Sequence, residues 1–598
     1  MSISRSFKPL LTALVILCSL FGVPALAQYE SGVSATVVDQ TGAAIPGAEL
    51  TLTNQSTQVV QKATSNGAGY VQILQLPPGI YKASVHAQGF QTWQLTDILV
   101  EGHDVRTIYP KLDVGAQNTT VSVIADTAQI ETTKGNIGRT LETKTVQESP
   151  LVGDDVYASV ATLAPGVTGL GDASGNISSA GSVGTNSFAA ESGFQINAAG
   201  QRQEANEYQV DGTVVDSDSR DGVVNITPEP ETVQEIKVTA STFSAEKGRQ
   251  SGALIEVFTK PGTNKFHGVL SEFHTDNALT ARTEFQTAVP KTIRNDFGGA
   301  VGGPIFKNKT FFFGSIFYLR SILGNTLIGS EETPQFSNYV QTNFPNSIAA
   351  QFLKQAPPQV APTYNFQTVG QLESIYGTAY SFPNIPADLE AVGTANINIS
   401  PISNGFQGHI RIDQNLRGDR DKFFFSLYRN TTQGETANAR PIYNYIDPNA
   451  TVYAKFDYIR TFSSSLVNET GVSYVRFAGS EPQSIPSLPN IYYIGGISNT
   501  FSQYGPITFI QNNFIYNDVL SYSKGHHTIH IGIDVDRQQD FDNFTGGLVR
   551  PYFYFLSPLD FAADHPFYQS GPVIDLSTHQ VATDLYQRVL ELYVAPYV

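Results

Sequence analysis

The sequence predicts a mainly β protein, and three observations support this prediction. Only 15% of the 598 residues are charged, whereas 11% are aromatic, and the chain contains 51 glycines. Aromatic residues favour strands and glycine favours turns, whereas a coiled coil would be much richer in charged residues and a disordered chain much poorer in aromatic ones. The third observation is a period-two alternation of polar and apolar residues in the C-terminal half, which is typical of strands with one apolar face.

The first 27 residues have the features of a secretory signal peptide. They combine a basic start with an apolar run and end in a small-residue cleavage site formed by Ala25, Ala27 and Gln28. A membrane anchor is the alternative, but about 14 apolar residues are too few to span a bilayer. The only cysteine, Cys18, lies in this segment. An exported chain without cysteine has no disulfide bonds, so strand pairing must stabilise it.

Charge and hydropathy narrow the class of protein further. The net charge of −17 argues against a nucleic-acid partner, because contacts to phosphates require a basic surface. After residue 27, no apolar run reaches the roughly 18 residues that a transmembrane helix needs. The chain is therefore either a soluble secreted protein or a β-barrel of an outer membrane.

Residues 28–112 contain short alternating segments separated by turns rich in glycine and proline, such as Asp39–Gly42. Strands at this spacing predict a small antiparallel β-sandwich with Phe90 and Trp93 in its core. The segments DQTGAAIPGAELTLTN and SNGAGYVQILQLPPGIYKASVHAQGF resemble the carboxypeptidase regulatory-like domain. The resemblance implies a non-catalytic sandwich that often precedes other modules. It does not imply a peptidase, because the sequence has no H-E-x-x-H zinc motif.

The segment that follows is polar at residues 113–135 and mixes helical and strand patterns at residues 136–262. The predicted elements are a helix at Asp154–Leu163, a glycine-rich loop at 169–193, a short helix from Pro228 and a strand at Glu235–Thr239.

Three sequence blocks carry a second resemblance. In this order, INAAGQRQEANEYQVDGTVV, PEPETVQEIKVTASTFSAEKGRQSGALIEVFTKPGTNKFHGVLSEF and RNDFGGAVGGPIFKNKTFFFGSIFYLR resemble the plug and first barrel strands of TonB-dependent outer-membrane receptors. The closest subfamily is the Oar type, which carries a regulatory-like sandwich at its N-terminus. The resemblance implies that residues 136–262 form a small α/β plug domain inside a barrel. The plug would close the lumen until an inner-membrane energy-coupling protein of the TonB type pulls on a short segment before it.

That short segment, the TonB box, is expected in the linker at residues 113–135. The candidate residues are Thr119, Thr120, Val121, Ser122, Val123 and Ile124. Their backbone groups would pair with a sheet edge of the partner by strand addition. The alternative is that they form the last strand of the sandwich or an ordinary linker strand.

Residues 263–598 contain strictly alternating segments such as Phe406–Asp413 and Thr528–Asp536. In the first of these, Gln407, His409, Arg411 and Asp413 oppose Phe406, Gly408, Ile410 and Ile412. A lipid-facing barrel requires this pattern, although a soluble sandwich alternates as well. The tyrosines that fit the aromatic girdles of a barrel are Tyr318, Tyr428, Tyr458 and Tyr474. Long polar stretches such as Thr333–Asn404 fit extracellular loops that determine ligand specificity.

The number of strands is too small for the 22-stranded barrel that the resemblance implies. Without the long loops, the residues after 262 supply roughly 8–12 strands. The final residue, Val598, is not the aromatic residue with which such barrels usually end. We therefore expect residues 263–598 to form the N-terminal part of a transmembrane β-barrel that is incomplete in a C-terminally truncated chain.

Other motifs are weak signals for a chemical site. The segment Asp216–Gly222 lacks the ligand order of a calcium loop, and the glycines at 298–303 are followed by no phosphate-binding lysine. In an extended chain, His526 and His530 lie about 13 Å apart, too far to share one metal ion. We expect no catalytic residue, no cofactor and no metal.

The sequence therefore predicts an outer-membrane receptor and not an enzyme. The expected partners are a TonB-type energy-coupling protein, outer-membrane lipid and an unknown extracellular solute. The alternative, from a different class, is an exported cell-surface adhesion or glycan- or matrix-binding protein built from β-sandwiches.

Overall fold

The computed structural model describes most of residues 31–570, together with 574–575 and 580–581. Apart from single residues, the described range is interrupted at 116–119, 125–136, 149–155, 158–162, 170–191, 194–195, 218–221, 244–246, 283–288, 377–384, 417–419, 482–489, 499–506, 525–526 and 545–551. The predicted signal peptide, with Ala25, Ala27 and Gln28, and the C-terminal end at Val598 lie outside the described residues.

The N-terminal unit is a β-sandwich. Its described strands are β1 (Gly32–Thr36), β2 (Val38–Asp39), β3 (Glu49–Asn54), β4 (Val60–Thr64), β5 (Tyr70–Leu74), β6 (Gly79–His86), β7 (Thr92–Val100), β8 (Val105–Ile108), β9 (Lys111–Leu112) and β10 (Thr120–Ile124). The two larger sheets have the orders β5–β1–β8 and β10–β7–β6–β3–β4. The core forms because the strands alternate: in β3, Leu50 and Leu52 are fully buried, whereas the threonines beside them are half-buried. Trp93 lies in this core and Phe90 packs against it, as predicted.

The described part of the middle unit contains a mixed sheet and the short helix Thr143–Glu148. Its described elements are β11 (Ile137–Glu142), α1 (Thr143–Glu148), β12 (Val167–Gly169), β13 (Ser192–Gly193), β14 (Ile196–Ala198), β15 (Glu207–Val210), β16 (Thr213–Val214), β17 (Val223–Val224), β18 (Val233–Ser241) and β19 (Leu254–Thr259). The main sheet has the order β11–β18–β19–β15–β16, and β15 runs parallel to β19. Ile236, Val238 and Ile255 are fully buried in its core.

The sequence predictions for this unit have different outcomes. The strand predicted at Glu235–Thr239 is confirmed within β18. The helix predicted from Pro228 is wrong, because the chain makes a single 3-10 turn at Pro230–Thr232 and then pairs with β19 from Val233 onwards. Most of the helix predicted at Asp154–Leu163 and most of the glycine-rich loop lie outside the described residues.

The C-terminal region contains the remaining described elements. The strands are β20 (His267–Asp276), β21 (Thr292–Phe306), β22 (Thr310–Leu323), β23 (Asn325–Glu332), β24 (Tyr364–Thr368), β25 (Glu390–Ile399), β26 (Ile402–Leu416), β27 (Asp421–Thr436), β28 (Tyr445–Ser463), β29 (Leu466–Glu481), β30 (Asn490–Ile494), β31 (Ile507–Lys524), β32 (His527–Phe544), β33 (Tyr552–Phe555), β34 (Tyr568–Ser570), β35 (Ile574–Asp575) and β36 (Gln580–Val581). The helices are α2 (Pro334–Asn343), α3 (Ile348–Gln355), α4 (Val369–Tyr376) and α5 (Pro558–Ala562). Nine strands form one antiparallel sheet, here called the wall, in the order β20–β21–β22–β26–β27–β28–β29–β31–β32.

The wall exposes apolar residues on its outer face and buries charged and polar residues on its inner face, which also carries buried aromatic residues such as Phe313 and Phe317. In β26, Gln407 and Arg411 are 1% and 4% exposed, whereas Ile410 between them is 42% exposed. In the edge strand β32 both faces are exposed, and Ile531 of the predicted apolar face reaches 66%. A soluble sheet buries its apolar face, so this reversed burial indicates a surface that faces lipid.

The wall carries aromatic residues on both faces, and those that fit a girdle lie on the outer one. The ring of Tyr318 lies on the outer face, 5.8 Å from the ring of Phe297 and 5.2 Å from that of Phe406. Tyr428 does not belong to this outer set, so its predicted place in a girdle is wrong. Its position in β27 has the inward phase, and its hydroxyl donates to the carbonyl oxygen of Thr227 in the middle unit at 3.2 Å.

The two ends of the wall differ in their connections. Short turns join β21 to β22, β26 to β27, β28 to β29 and β31 to β32 at one end. The sandwich lies at this end, where the Lys422 ammonium of β27 donates to the carbonyl oxygen of Gln75 at 3.3 Å. Long insertions leave the wall at the opposite end. Short turns on one side and long loops on the other are typical of outer-membrane barrels.

The long insertions fold into a lobe formed by residues 325–399, 438–445, 490–498 and 552–568. Its core joins α2–α5 to the sheets β23–β25–β24 and β30–β33–β34. The stretch Thr333–Asn404, predicted as a loop, is therefore largely structured. Within the lobe the buried Arg440 guanidinium donates to Glu332 at 2.6 and 2.9 Å and to Glu331 at 3.1 Å.

Among the described residues, no helix is long and apolar enough to cross a membrane.

Candidate functional site

The candidate site is the interface between the middle unit and the inner face of the wall, and it centres on Asp211. Asp211 and Gly212 form the two-residue turn between β15 and β16, with φ angles of 47° and 76°. Positive φ at both positions defines a type I′ hairpin turn, which favours the sequence Asp-Gly. The Asp211 carboxylate is 2% exposed and accepts hydrogen bonds from the backbone N–H and Oγ1 of Thr259 at 2.9 and 2.7 Å. The turn therefore presents a buried negative charge to the wall.

Arg411 of β26 reaches this charge from the wall. Its guanidinium donates to Asp211 Oδ1 at 3.2 Å and to Thr259 Oγ1 at 3.0 Å, and it also donates to Asp413 Oδ1 at 2.9 Å. The same guanidinium lies 4.3 Å from the ring centre of Phe424 in β27. Because Arg411 is held between two carboxylates and an aromatic ring, its orientation is fixed by its own strand, by β27 and by the middle unit.

Lys455 of β28 adds a second cation. Its ammonium donates to the backbone carbonyl of Asp211 at 2.5 Å and lies 3.2 Å from Asp457 Oδ2. Lys455 is 1% exposed and Asp457 is fully buried. We call Asp211, Thr259, Arg411, Asp413, Lys455 and Asp457 the Asp211 cluster. Removing one member would leave another charge buried without compensation, which costs more than the pair contributes when intact.

Further polar contacts join the middle unit to several wall strands. Gln407 accepts from the backbone N–H of Glu229 at 2.8 Å, and Gln511 pairs with Ser217 at 3.0 Å. The hydroxyls of Thr213 and Ser473 lie 2.7 Å apart. Apolar contacts add to these bonds, because Tyr428, Tyr453 and Val475 of the wall belong to the same buried hydrophobic cluster as the core of the middle unit. The middle unit is therefore held to the wall by polar and apolar contacts together.

The candidate TonB box has a defined backbone position. Residues Thr120–Ile124 form β10, which runs parallel to Thr92–Thr96 of β7 at the edge of the five-stranded sandwich sheet. Thr119 lies outside the described residues. This position matches the alternative, a last sandwich strand. The assignment as a box stays a prediction, since an edge strand retains backbone groups for a further strand.

The weaker motifs carry no described ligand site. In the described part of the chain, no group of three or more His, Cys, Asp or Glu side chains could hold a metal ion. Asp216 instead accepts from the backbone N–H of Tyr208 at 2.9 Å, and the Nδ1 of His530 lies 2.9 Å from Ser521 Oγ. His526 lies outside the described residues. A Cβ at Gly298 would meet the Ile316 carbonyl, so this glycine occupies a close-packed strand position as predicted.

Sequence reasoning missed the Asp211 cluster. The Asp-Gly pair between two short apolar runs was a readable hairpin signal. No local pattern connects Asp211 to Arg411 or Lys455, however, which lie 200 and 244 residues further along the chain.

Comparison with known proteins agrees with this architecture. The family description "Outer membrane beta barrel domain" matches residues 258–562, and "Carboxypeptidase regulatory-like domain" matches residues 32–113. The chain is 24% identical over 410 residues to the TonB-dependent transporter Oar of Myxococcus xanthus, a match that covers 65% of this chain and 36% of the relative. The chain thus spans about a third of the length of that curated relative.

Solved structures with similarity to the chain include an outer membrane transporter and a siderophore receptor. The transporter YddB of Escherichia coli is 10% identical with a TM-score of 0.44, covering 70% of this chain and 50% of its own. The siderophore receptor PirA of Acinetobacter baumannii is 13% identical with a TM-score of 0.42, covering 68% and 49%. A TM-score below 0.5 does not by itself establish a shared fold.

The match to the barrel description covers half of the chain, and the reversed burial of the wall agrees with it. The location that follows is the outer membrane, and the relative found is a transporter, not an enzyme. The chain belongs to the family of proteins with an outer membrane β-barrel domain, here preceded by a carboxypeptidase regulatory-like domain.

Proposed function

We propose that this protein is a TonB-dependent receptor that binds an extracellular solute and admits it when energy-coupled movement displaces the middle unit. The observation that supports the proposal is the reversed burial of the wall. Its apolar face is exposed, and its polar face holds a separately folded unit through the Asp211 cluster. In this role the middle unit, residues 136–262, is the plug.

The partner is an inner-membrane energy-coupling protein of the TonB type. It would add a strand to the backbone of residues 119–124, where β10 forms the edge of the sandwich sheet. This edge lies at the short-turn end of the wall, which we take as the periplasmic side. The solute would approach from the opposite end, where the lobe lies.

The proposal is tested by the accessibility of a residue between plug and wall. Thr213 is 1% exposed and lies against Ser473, and the only cysteine of the chain is in the predicted signal peptide. In the native bacterium, the Thr213→Cys variant should react with a membrane-impermeant maleimide when cells are energised and should be protected when a protonophore is added. Deletion of residues 119–124 should abolish this labelling.

The matched control is Ala83→Cys, which is fully buried in the sandwich core and should stay unlabelled under every condition. Labelling of Thr213→Cys that is equal with and without the protonophore would contradict the proposed energy coupling. Energy-dependent labelling that survives the deletion would contradict only the assignment of the TonB box.

A further inference from the structure

The sandwich rests on the plug through the loop that connects β7 to β8. The backbone N–H of Gly102 donates to Glu235 Oε1 at 2.6 Å, and the ammonium of Lys237 donates to the carbonyl oxygen of Gly102 at 3.0 Å. Beside them, Thr140 Oγ1 donates to Glu101 Oε2 at 2.9 Å. We call these contacts, formed by Glu101, Gly102, Thr140, Glu235 and Lys237, the clasp.

The clasp buries charges that the sequence pattern assigns to a solvent-exposed face. In β18, Glu235 and Lys237 alternate with Ile236 and Val238, which is typical of a strand with one face in water. Nevertheless, Glu235 and Lys237 are only 4% and 8% exposed. Gly102 fits closely between them, because a Cβ there would meet the ring of Phe258 and the carboxylate of Glu235. Burial of charged groups is costly unless they are paired, so the clasp indicates a specific docked position of the sandwich.

The sandwich also contacts the wall region, where the backbone N–H of Asn264, ahead of β20, donates to the carbonyl oxygen of Ser56 at 3.1 Å and Lys422 donates to Gln75. A cavity of about 370 Å³ lies where sandwich, plug and wall meet. Tyr81 of the sandwich, Lys260 of the plug and Phe423 of the wall are among its lining residues. The clasp is therefore the contact of the sandwich with the plug sheet, and beside it the cavity separates part of the sandwich from both the plug and the wall.

We propose that the clasp is the joint by which the sandwich rides on the plug, so that the two move as one body against the wall. This inference rests on the proposed function, in which the plug is displaced. The candidate TonB box lies in the chain between the sandwich and the plug. A pull on it would then move both units in the same direction, as one body. The space that opens first would be the cavity beside the wall.

The test measures distances between spin labels on the three units in lipid nanodiscs during a urea titration. Ala43 in the sandwich, Gln201 in the plug and Lys307 in the wall are exposed positions for single cysteines, which are combined in pairs. Urea releases polar contacts between units before it dissolves the long wall ladders, so it mobilises the plug without a solute or partner.

If the inference is correct, the distance distributions of the plug–wall and sandwich–wall label pairs broaden at the same urea concentration. The distribution of the sandwich–plug pair stays narrow at that concentration. Glu235→Ala combined with Lys237→Met should reverse this order, so that the sandwich–plug distance broadens first. The matched control, Glu148→Ala with Lys144→Met, removes an exposed ion pair of the plug outside the clasp and should behave like the wild type.

Two other results are informative. If the sandwich–plug distribution broadens first in the wild type while the plug–wall distribution stays narrow, the inference that the clasp joins the two units is contradicted. The proposed function is unaffected by that result. If the plug–wall distance never changes before the wall strands unfold, the plug is not a separable unit. The proposed function and the inference then fail together.

Discussion

The sandwich and the wall are built from the same sequence pattern but are turned inside out relative to one another. In β3 of the sandwich the apolar residues Leu50 and Leu52 are fully buried. In β26 of the wall the apolar Ile410 is 42% exposed, whereas the charged Arg411 beside it is 4% exposed. Period-two alternation therefore separates two faces without telling which of them is inside. The surrounding medium decides, because the hydrophobic effect buries apolar groups in water but not in lipid.

The polar interior of the wall is best tested at Arg411. Arg411→Met should weaken the hold on the plug by about 4 kcal/mol, because Asp211 stays fully buried after losing its cation and Asp413 stays partly buried. Hydrogen exchange of the hairpin β15–β16, measured by mass spectrometry, should rise at lower urea concentration than in the wild type. Arg429→Met removes a cation from the exposed outer face of β27 and should change little. Equal effects of both substitutions would contradict the inward role of the polar face.

The apolar interior of the sandwich is tested at Leu50. Leu50→Ala should destabilise the sandwich by about 3 kcal/mol, since it leaves a cavity in a packed core. Faster exchange in β6, the neighbour of β3, would report the loss, while the wall strands should be unaffected. Thr51→Ala, on the other face of the same strand, is the control and should cost far less. A similar loss for both would mean that β3 has no preferred face.

How much of the fold could be predicted from the sequence depends on how far apart in the chain the residues that form each feature lie. Strand faces are local, so the alternation in Phe406–Asp413 predicted the two faces of β26 correctly, and the resemblance to outer-membrane receptors predicted which of them faces inwards. The lobe was missed although Thr333, Pro334 and Ser347 are standard helix-start residues, and Thr333 and Ser347 do cap α2 and α3. These caps are short signals within polar sequence, and the core they lead into is assembled from segments more than 200 residues apart.

The candidate site shows more clearly which contacts a single sequence does not predict. The inward direction of Arg411 follows from strand phase, but its partner Asp211 lies on a turn of a different unit. Tyr428 was assigned to the wrong face because polar and apolar residues alternate less regularly in β27. A shift of one residue along a strand moves a side chain to the opposite face of the sheet. The contacts between units depend on how complete surfaces fit together, and a single sequence has no periodic pattern for that.

The outer face of the wall is tested at Ile410. Ile410→Arg should cost about 2–3 kcal/mol of stability in a bilayer, because it places a charge on a lipid-facing strand. The fraction of protein that inserts into vesicles, followed by its mobility on unheated gels, should fall. Ile410→Leu keeps the apolar character and should insert normally. In a soluble sheet an exposed arginine at this position would be harmless, so unchanged insertion would argue for the soluble alternative.

The smallest effect is expected at the clasp, where the sandwich meets the plug. Burial raises the pKa of Glu235 from its ordinary value of 4.5 to about 7, against the backbone hydrogen bond from Gly102, which favours the ionised form. Glu101 and Glu142 raise this pKa further, and Lys237 lowers it. Because the docked form binds the proton more tightly than the free form, docking is favoured below pH 7 and the gain is lost as the pH rises through about 7.

Between pH 8 and pH 6 the docked state should gain about 1.3 kcal/mol, or roughly a factor of ten in its equilibrium constant. The urea concentration at which the sandwich–plug distance broadens should therefore be higher at pH 6 than at pH 8. Glu235→Gln still accepts the Gly102 hydrogen bond but cannot ionise, so its broadening should not depend on pH in this range. A pH dependence that persists in Glu235→Gln would assign the titration to another group. A docking equilibrium that weakens towards pH 6 would mean that Glu235 is charged in the docked state and that the sandwich does not desolvate it.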